Sequence, residues 1–160
     1  MKKKLLIIGY GSIGKKHANI ISKYFKNIEI LILTKQKKIN YKSIKDIKLI
    51  TNFEFKYIII CSETHKHYEQ VEYIEKNFTN VKILIEKPIF HKFKKINLKN
   101  NYYYVAYNLR YHPLLISLKK ITKNKKIYKI SVSCNSYLPN WRSQSYVKSY
   151  SANKNKGGGV

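Results

Sequence analysis

Six residues, Gly9-Tyr10-Gly11-Ser12-Ile13-Gly14, constrain this chain more than any other feature in it. They follow the apolar run Leu5-Leu6-Ile7-Ile8 without a spacer and open a stretch, residues 12–25, whose apolar positions Ile13, Ala18, Ile21 and Phe25 fall close to helical spacing. A segment apolar at every position fits a parallel strand buried on both faces. Turning tightly from such a strand into a helix calls for one glycine that tolerates unusual torsion and a last one that lets the helix pack close to the strand. The middle glycine leaves room for a ligand to approach bare backbone. The spacing G-x-G-x-x-G between strand and helix therefore predicts a phosphate cradle, with Gly9, Gly11, Ser12, Ile13 and Gly14 around a diphosphate and the positive helix end aimed at it.

The same alternation continues along the chain. Residues 28–33, 47–51, 57–61, 81–85 and 102–106 read as further buried strands, and residues 65–78 as a helix with Val71, Ile74 and Phe78 on one face. Strand and helix alternating at this pitch imply βαβ units, right-handed crossovers and a doubly wound parallel sheet of the Rossmann type. From Pro113 the pattern changes to a helix through about residue 123, then to an amphipathic strand over 127–136 in which Ile130, Val132 and Cys134 alternate with Lys129, Ser131 and Ser133. One helix and one strand cannot bury a core alone, so the reading is a dinucleotide-binding domain over 1–108 and the incomplete start of a second α/β domain over 109–160.

Charge enters next, because 33 Lys and Arg against 8 Asp and Glu would ordinarily suggest nucleic acid or an anionic membrane. The lysines are spread over the whole chain and the sole arginines are Arg110 and Arg142, so the arginine forks that read bases are missing and specific nucleic-acid binding is not expected. No apolar run approaches the roughly 20 residues of a membrane span, and the N-terminus is too short for a signal-peptide core. The expectation is a soluble cytoplasmic protein. Cys61 and Cys134 have no partners at metal-ligand spacing and read as buried, reduced thiols, with no metal site.

Sites that prefer NAD usually hold the ribose hydroxyls with an acidic residue at the end of the second strand. Here that end is Thr34-Lys35-Gln36-Lys37, and Glu29 lies too early to reach it. Thr34 and Lys35 thus tilt the reading toward NADP over NAD, since a 2′-phosphate would be welcomed by lysine.

Three further motifs sit just past expected strand ends: Cys61-Ser62-Glu63-Thr64-His65-Lys66-His67, Glu86-Lys87-Pro88 and Tyr107-Asn108-Leu109-Arg110-Tyr111-His112-Pro113. Together with the glycine turn they resemble the Gfo/Idh/MocA family of NAD(P)-dependent oxidoreductases, in which a Rossmann domain precedes an α/β domain with an open antiparallel sheet. The resemblance implies that Lys87 is catalytic, beside the nicotinamide, with Pro88 a candidate cis-proline and Glu86 holding Lys87 or the ribose. It further implies that Ser62, Thr64, His65, Glu86, Lys87 and Asn108 line the cofactor site, with His67 a weaker candidate, and that Arg110, Trp141 and Arg142 approach the substrate. Residues 138–142, 150–152 and the glycines 157–159 look like members near sugar and nonulosonate biosynthesis, which implies a sugar-type substrate and, for the full-length form, a homo-oligomer. Relatives continue into a helix bearing Asp and His, so this chain is expected to bind dinucleotide weakly and turn over little. Three adjacent GGN codons at 157–159 would form a guanine run prone to frame slippage, a second expectation about how the chain ends. A non-catalytic dinucleotide-binding remnant is the alternative.

Overall fold

The computed structural model describes residues 2–135 and 152–158. Six strands, β1 (Lys3–Ile8), β2 (Ile28–Leu33), β3 (Lys42–Ile44), β4 (Tyr57–Ile60), β5 (Lys82–Ile85) and β6 (Tyr102–Val105), form one sheet in the order β3-β2-β1-β4-β5-β6. Every pairing is parallel. The strand order reverses between β1 and β4, and the loops leaving these two strands depart to opposite faces, opening a crevice at their carboxyl ends.

Alternation along β1 explains how two helices can be held at once. Leu5 and Ile7 join Ile30, Ile32 and Ile59 under Ala18 and Ile21 of α1 (Ser12–Tyr24). Leu6 and Ile8 join Ile58, Ile60, Ile83 and Ile85 under Val71 and Ile74 of α2 (His67–Asn77) on the other face. Ile13 and Phe25, expected on the apolar stripe of α1, are instead exposed; the first belongs to the glycine turn and the second lies past the helix end.

Two expected strands are corrected. Residues 47–52 form a 3-10 turn capped by Asp46, whose carboxylate accepts from the Lys48 N–H, and the third strand is the shorter β3 just before it. The apolar signal there was real but came from Ile50, which is fully buried as the turn folds under the sheet. Residues 127–135 carry no strand, and Ile130 and Val132 are 74% and 85% exposed. An alternating segment becomes a strand only when a partner edge takes its hydrogen bonds, and no described strand lies beside this one. With it Cys134 is exposed rather than buried; Cys61 is half-buried, and both are free thiols. The expected helix from Pro113 is present as α3 (Pro113–Thr122), yet Leu114, Leu118 and Ile121 face solvent. Among the described residues no helix is long and apolar enough to cross a membrane.

The far end of the sheet is closed by one carboxylate. Glu75 of α2 accepts from the backbone N–H groups of Lys99 and Asn100 at 2.6 and 2.7 Å, and from the Tyr103 hydroxyl at 2.7 Å. Asn101 donates to the same carboxylate and to the Phe78 carbonyl, which fixes the start of β6 against the end of α2. Partial burial pushes the Glu75 carboxyl up, but the donors from Lys99, Asn100, Tyr103 and Asn101 outweigh it and hold it below its usual range.

Ile60→Ala should cost about 2–5 kcal/mol in urea unfolding through loss of buried volume, whereas Val132→Ala should stay within about 0.5 kcal/mol. Because its carboxyl titrates lower when folded, Glu75 adds stability that is complete above the unfolded value of 4.5 and disappears as the pH falls through the folded one. Glu75→Gln should therefore flatten the acid limb of the stability profile; an unchanged limb would exclude this anchor.

Candidate functional site

The glycine turn is built as its spacing predicts, and its three glycines serve different purposes. Gly9 has φ +93, and a Cβ there would meet the backbone of Ser62 and Cys61 at 2.7–2.8 Å. Gly14 is buried with its Cα against the Gly9 carbonyl, where a Cβ would overlap that oxygen, and the Cys61 side chain lies just beyond. Gly11 differs: a Cβ there would meet nothing within 4 Å, and its φ of −74 suits any residue. Among the described residues nothing requires glycine at this position, so the room it leaves is open to a ligand.

That room opens at the start of α1, where Gly11, Ser12 and Ile13 are exposed, no side chain of the described residues caps the helix and the first turn holds no acidic residue. Thirteen residues of aligned peptide dipoles leave partial positive charge and free N–H groups at that end. A diphosphate fits this cradle in shape and sign.

The neighbouring strand ends supply the rest of the rim. At the end of β2 the Gln36 N–H donates to Thr34 Oγ1 at 3.2 Å, and the Gln36 side-chain amide donates to the Tyr10 carbonyl at 3.0 Å, tying this turn to the glycine turn. Lys35 is exposed beside it. Glu29 sits at the opposite end of β2, paired with Lys42 at 2.8 Å, and is remote from the turn as its position implied.

Past β4, Ser62 donates its hydroxyl to Gln70 at 2.6 Å, so its side chain is committed to α2. Thr64 is buried and opens a 3-10 turn, Thr64–Lys66. The His65 Nδ1 is buried without a hydrogen-bond partner among the described residues, as is that of His91. Gly157, at φ +77, packs against both Thr64 and His91, with an added Cβ 2.7 Å from His91 Cβ and 2.9 Å from Thr64 Cβ. The segment around Gly157 thus touches the turn that follows β4.

Past β5, Glu86 is half-buried and its carboxylate accepts from His17 Nε2 of α1 at 2.9 Å. Lys87 is exposed and has no hydrogen bond or ion pair among the described residues, so Glu86 is engaged by His17 and not by Lys87. The Lys87–Pro88 peptide is cis, as its place in the sequence suggested. Burial, reinforced by the Glu86 carboxylate, pushes the Cys61 thiol up, which leaves it protonated and unreactive near neutral pH. His67 is buried at 1% exposure with both ring nitrogens at backbone carbonyls, Nε2 to Ser62 at 3.0 Å and Nδ1 to Ile89 at 3.1 Å. It is an internal strut and not a pocket residue. Past β6, Asn108 and Arg110 lie exposed on a 3-10 turn, Asn108–Tyr111. Trp141 and Arg142 fall outside the described residues.

A sheet whose order reverses beside a glycine cradle, with Glu-Lys-Pro two strands away, is a nucleotide-binding arrangement, and a family-wide profile described as "Oxidoreductase family, NAD-binding Rossmann fold" matches residues 3–98. The chain belongs to the Gfo/Idh/MocA family. Among solved structures, the WlbA dehydrogenase from Bordetella pertussis, in complex with NADH and UDP-GlcNAcA, superposes with a TM-score of 0.65 at 14% identity, covering 77% of this chain and 42% of that one. The myo-inositol 2-dehydrogenase from Lactobacillus plantarum gives 0.64 at 18% identity over 78% of this chain and 42% of that one. The WlbA (WbpB) dehydrogenase from Thermus thermophilus, in complex with NAD and UDP-GlcNAcA, gives 0.62 at 18% identity over 78% and 48%. At these identities the likeness is one of fold, and this Gfo/Idh/MocA chain spans less than half the length of the three structures. No curated protein matches it.

Three residues escaped the sequence reading: His17, Gln36 and His91. A sequence signal existed for His17 alone, since a titratable residue between Gly14, Ala18 and Ile21 falls on the helix face turned toward the sheet.

The glycines separate in a stability measurement. Gly14→Ala should destabilise by about 1–3 kcal/mol or more, because the Gly9 carbonyl has nowhere to move. Gly11→Ala should cost less than about 1 kcal/mol. Equal losses would show that Gly11 is glycine for packing reasons.

Proposed function

We propose that residues 1–108 bind a nicotinamide dinucleotide, NADP in preference to NAD, and that residues 109–160 contribute to a second domain for substrate binding and oligomerisation. The observation that carries the reading is the open space at Gly11 beside an uncapped helix, on the same sheet edge as Glu86-Lys87-Pro88. The division near 108 is supported by α3, whose apolar residues face solvent while those of α1 and α2 are buried. The uncapped first turn would hold the diphosphate through backbone N–H groups. Thr34 and Lys35, with no carboxylate at the end of β2, would hold a ribose phosphate. Ser62 (through backbone), Thr64, His65, Glu86 and Asn108 ring the nicotinamide end of the crevice, and Arg110, Trp141 and Arg142 are the candidates for substrate.

The reaction proposed is hydride transfer to or from a sugar or sugar-derivative carbon, as the fold neighbours crystallised with UDP-GlcNAcA and the inositol dehydrogenase suggest. A bound nicotinamide supplies the hydride acceptor or donor. Lys87 acts at the substrate oxygen: its ammonium donates a hydrogen bond to a carbonyl and delivers the proton as the alkoxide forms, or its neutral amine takes that proton in reverse. Lys87 is exposed and unpaired among the described residues, which leaves its ammonium available for this.

Fluorescence titration should show NADPH binding at least about tenfold tighter than NADH, with Lys35→Glu reversing the order. Failure of either dinucleotide to bind would sink the reading; a tighter NADH would sink only the phosphate preference. With UDP-GlcNAcA or myo-inositol offered as the alcohol to be oxidised and NAD(P)+ as hydride acceptor, Lys87→Met should lower any NAD(P)H formation by about 10²–10⁴-fold. Dinucleotide binding without any turnover would favour a non-catalytic binding protein.

A further inference from the structure

We infer that His17 and His67 are positioning residues for Lys87, which they hold from opposite faces of the sheet; the inference rests on the dinucleotide reading above. Lys87 and Pro88 form the centre of a four-residue segment whose two ends are each fastened by a histidine. At one end the Glu86 carboxylate is bonded to His17 Nε2 at 2.9 Å. His17 belongs to α1, the helix whose first turn is the phosphate cradle, and lies one turn after Gly14. At the other end the Ile89 carbonyl is bonded to His67 Nδ1 at 3.1 Å. His67 opens α2 on the opposite face, and its Nε2 is bonded at the same time to the Ser62 carbonyl of the turn that leads into Thr64 and His65.

The lysine itself makes no bond among the described residues, so nothing fixes it except the backbone on either side. A long side chain reaches a defined point only if its Cα is defined, and here the two bonds fix that Cα relative to the cradle through α1 and to the Thr64 turn through α2. Both histidines are sheltered: the His17 and Glu86 side chains are 25% and 15% exposed, and His67 is 1% exposed. Hydrogen bonds in such surroundings compete less with water than surface ones. Carbonyl oxygens only accept, so each His67 contact calls for an N–H donor on the ring. An amide side chain, whose NH₂ also offers two N–H donors, is the conservative replacement, and leucine removes the donors while keeping an apolar filling.

A purely structural role would weaken every ligand alike, whereas a positioning role acts on the nicotinamide end alone. The test therefore compares two probes on the full chain: NADPH, which reaches Lys87, and 2′-phospho-ADP-ribose, which lacks the nicotinamide. His17→Leu and His67→Leu should weaken NADPH about tenfold, the equivalent of one charge-assisted hydrogen bond, and change the shorter probe less than about twofold. His67→Gln should restore most of the NADPH affinity. Unchanged NADPH binding, or parallel loss of both probes in folded variants, would overturn the inference. If His67→Leu does not fold, His17→Leu with its more accessible side chain decides alone. Failure of the wild-type chain to bind either probe would instead overturn the dinucleotide reading, and this inference with it.

Discussion

The closest constraint in the molecule is the contact of bare backbone between the first and fourth strands. Gly9 lies on the Cys61–Ser62 peptide, and Gly14 lies on the Gly9 carbonyl, with no side chain between any of them. This contact lets α1 begin directly over the edge of the sheet, so the helix end and its unpaired N–H groups fall at the point where the strand order reverses. Were the backbones held apart by even one methyl group, the helix would be displaced and the cradle would lose its position relative to the ends of β4 and β5.

From that contact the other features of the edge follow. Because α1 runs close to the sheet, His17 one turn along it can reach the Glu86 carboxylate. Because β1 alternates strictly, with Leu5 and Ile7 on one face and Leu6 and Ile8 on the other, α2 is secured on the opposite face, where His67 bridges two backbone turns. Apolar burial determines which helices cover the sheet, while a small number of polar bonds determine where the strand exits point. The polar contribution is smaller in energy but greater in direction, since hydrogen bonds are angular and hydrophobic contact is not. The two kinds of interaction are segregated, with polar anchoring at the carboxyl edge and, through Glu75, at the opposite end.

The sheet, the two covering helices and the glycine turn were legible because they are local in sequence. Leu5 to Ile8 are apolar without interruption and Val71 and Ile74 lie on one helix face, and both signals refer to residues that end up in the same element. The reading failed where an element depends on what lies beside it. Residues 47–51 have strand-like apolar content, yet Asp46 caps them into a turn and Ile50 is buried by another route. Residues 127–135 alternate as a strand should, but a strand exists only in company and none of the described strands stands beside them.

What the sequence determined by itself was the fold and the family, because glycine spacing and hydrophobic period encode backbone torsion and burial, which are properties of neighbouring residues. It located Lys87, Thr64 and His65 at strand ends for the same reason. Only the tertiary structure decided that Glu86 faces His17 rather than Lys87, that His67 is a strut inside the fold, and that Gln36 joins the end of β2 to the glycine turn. These partners lie 69, 5 and 26 positions apart along the chain and on different elements, and a hydrogen bond has no period from which such a meeting could be read.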